Sequence, residues 1–195
     1  MSKLNIVKVG GNVIENPKTL FPFLEEFAKL EGNKILVHGG GKKATLWAER
    51  LGIPVQMNDG RRITDAETLE LITGIYGGQV NKNIVTLLQG LDCNAIGLSG
   101  ADGNAIQAKK RPAKPIDYGF VGDVTLVNSA FFVNLLKQKL SPVCCALTHT
   151  GSGQILNTNA DTIASKIAVA LSTKFEVNLF YCFEKPGVLE SVEED

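Results

Sequence analysis

The chain has 195 residues, with 20 Lys and Arg against 20 Asp and Glu, so its formal net charge is zero. That balance excludes a polybasic nucleic-acid surface as the main function, because phosphate binding needs a clustered positive excess. A hydrophobic share of 44% and a charged share of 21% are ordinary for a soluble globular domain, and no apolar run approaches the roughly 18–20 residues of a membrane span.

Residues 4–9 read as a strand that runs into Gly10-Gly11-Asn12. No signal-peptide pattern precedes it, and a cytoplasmic location is expected. Residues 17–30 carry Leu20, Phe21, Leu24, Phe27 and Leu30 near helical spacing. A strand over 34–38 ends in Gly39-Gly40-Gly41 and a helix over 42–51 follows. Asn58-Asp59-Gly60 marks a hairpin turn. Asp65 caps a long helix reaching about Leu91. Its Leu69, Ile72, Ile75, Tyr76 and Val80 have mixed spacing, which predicts one face on the sheet and a second apolar face to spare.

A strand over 93–98 precedes Ser99-Gly100-Ala101-Asp102-Gly103. Segments 105–109 and 119–127 alternate like half-exposed strands, which predicts a β-hairpin lid. Then come a helix over 129–140, a strand over 142–147, a helix over 160–171 and a strand over 176–183. The recurring order of strand, glycine turn and helix predicts an α/β fold with a mainly parallel central sheet and helices on both faces. After the last strand, Pro186-Gly187 and the acidic run 190–195 replace the expected covering helix, so the chain reads as one lobe over 1–172 and the truncated start of a second over 173–195. Cys93, Cys144, Cys145 and Cys182 form no C-x-x-C pair and are expected to be reduced thiols.

The chemistry concentrates at the glycine turns. Glycine lets a backbone approach a ligand and turn its N–H groups outward, and a helix N-terminus adds partial positive charge. Gly10-Gly11 and Gly39-Gly40-Gly41 therefore read as loops for phosphate or carboxylate. Neither spells a Walker A or a dinucleotide fingerprint. Lys8 interrupts an apolar strand two residues before Gly10, where a lysine can neutralise a transferring phosphoryl group. Arg61-Arg62 follows the Gly60 turn, and one of the two is placed to clamp a carboxylate. Asn157-Thr158-Asn159-Ala160-Asp161 holds more polar side chains than capping a helix requires. Gly97-Leu98-Ser99-Gly100-Ala101, with Asp123 and His149 after it, is a near miss for a hydrolase elbow, but the serine leads into a strand rather than a helix. The two histidines suggest no metal site.

In order, Lys8-Val9-Gly10-Gly11-Asn12, Val37-His38-Gly39-Gly40-Gly41, Gly60-Arg61-Arg62-Ile63-Thr64, Gly78-Gln79-Val80-Asn81-Lys82, the Gly97–Gly103 segment, Gly119-Phe120-Val121-Gly122-Asp123-Val124 and the Asn157–Asp161 segment resemble the N-acetylglutamate kinases of the amino-acid kinase family. The resemblance covers nearly the whole chain. It implies transfer of a phosphoryl group from Mg-ATP, bound as substrate, to the side-chain carboxylate of an N-acyl-L-glutamate in arginine biosynthesis, with no tightly bound cofactor. By position, Lys8 would stabilise the moving phosphoryl group, and Gly10, Gly11 and Gly40 would offer it N–H groups. Gly40, Gly41, Arg62 and Asn157 would contact the acylglutamate, and Asp161 would orient the catalytic lysines. The family's Thr-Asp-Val-Pro-Gly reads Phe183-Glu184-Lys185-Pro186-Gly187 here. The approach to Asn157 over 146–152 is also unusual, so an N-succinyl or other acyl substrate is an alternative. A non-catalytic acylamino-acid-binding module is a second one. The resemblance further implies a homodimer. With the first strand starting at Leu4 there is no room for the N-terminal helix of arginine-inhibited hexamers, so insensitivity to arginine is expected.

Overall fold

The computed structural model describes residues 1–183. The Pro186-Gly187 turn and the acidic run 190–195 lie outside the described residues. Five parallel strands form the central sheet in the order β11-β1-β2-β8-β5. They are β1 (Lys3–Val9), β2 (Asn33–His38), β5 (Ala95–Leu98), β8 (Ser141–Cys145) and β11 (Glu176–Cys182). Successive residues of a strand face opposite sides. Every residue of β8 and all but the first of β2 are buried, so both faces of the sheet are covered at its centre, as expected for a parallel sheet, whereas β11 at its end is partly exposed.

The cover comes from α2 (Pro17–Lys29) with α5 (Asn81–Gln89), and from α6 (Ser129–Lys137) with α7 (Ala160–Leu171). Between them run α1 (Gly11–Glu15) and α3 (Gly41–Leu51). The Asn58–Gly60 turn joins β3 (Met57–Asn58) to β4 (Arg61–Arg62) as an antiparallel hairpin.

The long helix after Asp65 is present but not uniform. Asp65 caps α4 (Ala66–Ile72) by accepting a hydrogen bond from the Thr68 N–H, and a π-helical segment, Thr73–Val80, links α4 to α5. Gly74, Gly77 and Gly78 in that segment weaken the α-helical preference. Here the expectation of a spare apolar face needs correcting. Leu69, Ile72, Ile75, Tyr76 and Val80 are all buried within the chain.

The hairpin lid is also larger than expected. β6 (Ile106–Lys110) and β7 (Gly122–Val127) pair antiparallel, and β9 (Leu147–His149) and β10 (Ile155–Asn157) complete a second sheet in the order β10-β9-β6-β7. The expected single strand over 142–147 is therefore two strands in two sheets. The chain leaves the central sheet at Ala146, whose carbonyl accepts from the Thr158 N–H at 3.0 Å, while the Leu147 carbonyl accepts from the Gly100 N–H at 2.7 Å.

Candidate active site

In a parallel sheet with glycine turns, ligands collect outside the carboxyl ends of the strands. A cavity of about 540 Å³ lies there, and Lys8, Gly10, Gly11, Gly40, Gly41, Arg62, Asn157 and Asp161 all line it. Positions up to 153 residues apart in sequence thus share one wall, and three structural devices bring them together.

The first joins β1 to α7. Lys8 Nζ lies 2.9 Å from Asp161 Oδ1, with the lysine side chain 16% exposed and the aspartate 50%. Asp161 stands in the first turn of α7, whose N-cap is Asn159 rather than Asn157: the Asn159 side chain accepts from the Thr162 N–H at 3.0 Å. Asn157 is thereby free of the capping role.

The second device stitches three loops. The Thr64 N–H donates to the Tyr118 carbonyl, the Phe120 N–H to the Thr64 carbonyl, and the Asn157 N–H to the Phe120 carbonyl, at 3.0, 2.7 and 2.9 Å. The Asn157 amide also donates to Thr64 Oγ1 at 3.0 Å. The loop after β4, the approach to β7 and the end of β10 thus form one wall. From it Arg62, itself buried, reaches α3. Its Nη2 donates to the Gly41 carbonyl at 2.9 Å and to Thr45 Oγ1 at 2.7 Å. Its neighbour Arg61 is exposed.

The third device is a pair of helix starts. Gly10 precedes α1 and Gly40 precedes α3, and neither helix has a side-chain cap. The first N–H groups of a helix have no intrahelical partner, so they are open to an anion. The structure corrects one expectation here. The Gly10 N–H donates to the Cys182 carbonyl at 2.9 Å, because the β1–β11 ladder runs on past Val9. Gly10 lines the cavity but does not offer its N–H to it. Gly11 and Gly40 stand in the positions that can.

Sequence reasoning missed two contributors, Thr45 and Tyr76. Thr45 holds the Arg62 guanidinium from one turn along α3. Tyr76 lines the cavity from the π-helical segment, and its ring lies under Gly40. Burial pushes the Tyr76 phenol pKa up, and the Arg62 guanidinium opposes that shift. The glycine-rich run 74–78 was the available sign that this helix does not follow α spacing.

The hydrolase near miss is not assembled. Ser99 is bonded to the Asp102 carboxylate through N and Oγ at 2.6 and 2.8 Å. Asp123 pairs with Arg111 at 2.6 Å, which holds its carboxyl below the usual range. His149 lies between Asn104 Oδ1 and the Gly151 N–H. Among the described residues no group of three or more His, Cys, Asp or Glu could hold a metal ion, and no helix is long and apolar enough to cross a membrane. All four cysteines are free thiols.

The sequence profile of the Amino acid kinase family matches residues 3–190. An acetylglutamate kinase from Cytophaga hutchinsonii is 60% identical over 195 residues, covering 100% of this chain and 74% of that protein. One from Phocaeicola vulgatus is 56% identical over 193 residues, covering 99% of this chain and 75% of that protein. Among solved structures, smu.665 from Streptococcus mutans UA159 superposes with a TM-score of 0.73 at 25% identity, over 87% of this chain and 69% of that one. N-acetylglutamate synthase from Neisseria gonorrhoeae, complexed with coenzyme A and N-acetyl-glutamate, gives a TM-score of 0.80 at 20% identity, over 95% of this chain and 42% of that one. At that identity the likeness shows the fold alone. The chain belongs to the amino acid kinase family, in its acetylglutamate kinase branch.

Proposed function

We propose that the protein transfers the γ-phosphoryl group of Mg-ATP to the side-chain carboxylate of N-acetyl-L-glutamate, a step of arginine biosynthesis. The observation that carries this reading is one cavity lined by both a phosphate-type half and a carboxylate-type half. The phosphate half is Lys8, held by Asp161, with the glycine-led starts of α1 and α3. The carboxylate half is Arg62 and Asn157 on the stitched wall.

In this reading a carboxylate oxygen of the acylglutamate attacks the γ-phosphorus as the bond to the ADP oxygen breaks. Charge spreads over the phosphoryl oxygens, and positioning with electrostatic stabilisation supplies most of the catalysis. Lys8 and the N–H groups of Gly11 and Gly40 meet that charge. Arg62, anchored through Nη2 to Gly41 and Thr45, presents the rest of its donor fork to a substrate carboxylate. Asn157 and Gly41 complete the acylamino-acid contacts. The magnesium ion arrives with the nucleotide. Residues 1–172 hold the amino acid and residues 173–195 begin the nucleotide-binding part, with β11 as the edge strand joining them. Free thiols suit the reducing cytoplasm that this reading assigns.

Formation of an acyl phosphate, trapped with hydroxylamine, tests the proposal. N-acetylglutamate with Mg-ATP should give product, and N-succinylglutamate and free glutamate should give far less. Tight binding of an N-acylglutamate without any ATP-dependent product would favour the binding-module reading. No binding of either acylglutamate would remove the assignment altogether.

A further inference from the structure

We propose that His38 and Asn81 form a buried clamp on the Gly39–Gly40 peptide, which makes His38 a positioning residue for the Gly40 N–H at the cavity. The functional half of this inference rests on the phosphate-side reading of Gly40 above.

His38 ends β2 and has no solvent exposure. Its Nδ1 lies 2.7 Å from the Gly39 carbonyl oxygen, and its Nε2 lies 3.0 Å from Asn81 Nδ2. Asn81, the first residue of α5, is 1% exposed. Its Nδ2 also donates to the Val143 carbonyl of β8 at 2.9 Å, and its Oδ1 accepts from Lys82 Nζ at 3.2 Å. These partners determine the proton positions. A carbonyl only accepts, so the nitrogen side of the amide must face Val143, and its second hydrogen goes to His38. The His38 Nε2 must then be the bare acceptor, and Nδ1, facing a carbonyl, must carry the hydrogen. The ring is the neutral Nδ1–H tautomer. Burial and then Lys82 lower its pKa to about 4 despite the Gly39 bond, which agrees with a neutral ring.

The clamp acts through peptide geometry. In a trans peptide the C=O and the following N–H point to opposite sides. Drawing the Gly39 carbonyl onto the buried ring therefore turns the Gly40 N–H away from it, and Gly40 lines the cavity. Tyr76 supports Gly40 from beneath, 2.8 Å from where a Cβ would stand. Gly97 makes room for the other end, since a Cβ there would overlap the Asn81 amide. An imidazole that merely filled the core would need partners, but not partners that orient the peptide before an uncapped helix start.

Two measurements test this. The chain has two histidines, so a His149→Gln variant assigns the ring nitrogens in a long-range ¹H–¹⁵N spectrum. At neutral pH His38 should show a protonated Nδ1 and a bare Nε2. An Nε2–H tautomer or a charged ring would overturn the clamp. For positioning, His38→Asn keeps a donor near the Nδ1 position, whereas His38→Gln keeps only a group near Nε2. The Gln variant should shift the Gly40 amide resonance and lower kcat on the order of 10- to 100-fold, with KM for N-acetylglutamate little changed. The Asn variant should restore both toward the parent. If the two variants behave alike, or Gln leaves the Gly40 resonance and kcat as in the parent, His38 is only a core residue. A parent without turnover would count against the kinase reading, and the tautomer and the Gly40 resonance would still decide the clamp.

Discussion

Lys8 Nζ lies 2.9 Å from Asp161 Oδ1, tying the end of β1 to the first turn of α7. With Asp161 half exposed, such a pair contributes little stability, on the order of 0–1 kcal/mol. Its use is to hold the ammonium at one place on the cavity wall. Lys8→Ala should therefore lower kcat about 10²- to 10³-fold, the usual cost of losing a preorganised charge, while KM for the amino acid moves little. Steady-state kinetics check this. A raised KM with parental kcat would make Lys8 a ground-state binding residue instead.

Arg62 is buried and anchored on α3 before any ligand arrives. Removing one charge-assisted contact should weaken N-acetylglutamate binding by about 1.5–3 kcal/mol, or roughly 10- to 150-fold. Calorimetric titration of Arg62→Ala measures it. Arg61→Ala is the comparison and should weaken binding less, because Arg61 lines the same cavity but is exposed. Equal affinities in all three proteins would remove Arg62 from the site.

Gly40 and Gly39 should respond differently to alanine. A Cβ on Gly40 would stand 2.8 Å from Tyr76 Cδ1, whereas one on Gly39 meets nothing within 4 Å. Tyr76 is 5% exposed and cannot swing aside. Overpacking of this kind costs about 1–3 kcal/mol, so Gly40→Ala should unfold at lower denaturant and Gly39→Ala should stay within about 0.5 kcal/mol of the parent. Urea titrations of both variants decide it.

The buried His38 makes stability depend on pH. Its folded pKa is lowered to about 4, and the unfolded chain takes up a proton near the ordinary value of about 6.5. Between those values the unfolded state binds a proton that the native state refuses. Stability is complete above pH of about 6.5 and falls as pH drops toward 4, by up to about 3 kcal/mol. His38→Asn should flatten that slope. Urea midpoints across the range, parent against variant, test it, and identical slopes would assign the pH dependence to other groups.

The family resemblance predicts a homodimer, for which light scattering should give twice the chain mass. Leu69, Ile72, Ile75, Tyr76 and Val80 are buried within the chain and offer no apolar face for that contact. Phe21, Leu46 and Leu51 of α2 and α3 remain exposed at 42%, 45% and 60%. A concentration-independent monomer mass would remove the dimer from the reading.

Local signals were enough for much of this protein. Lys8 and Gly10, Gly40 and Gly41, and the Asn157–Asp161 segment are legible because each sits at or beside the punctuation between a strand and a helix, whereas the choice of Arg62 over Arg61 comes only from the family resemblance. At such punctuation backbone geometry restricts the residue types, and glycine runs cannot be mistaken for element interiors. The parallel sheet is legible for the same reason, since strands such as β2 and β8 are apolar without alternation. Tertiary contacts decided the rest. Whether the Gly10 N–H is free depends on β11, which pairs with β1 from the far end of the chain. Where Tyr76 points depends on the π-helical segment and its packing under Gly40, which the glycine-rich run 74–78 hints at but apolar spacing does not show. That β9 leaves the sheet of β8 depends on hydrogen bonds from Gly100 and Thr158, which come from elsewhere in the chain. The proton on His38 depends on Asn81 and Val143, brought together only by packing α5 against β8. Local sequence sets φ, ψ preferences and which faces are apolar, whereas the partner of each polar atom is chosen by long-range packing.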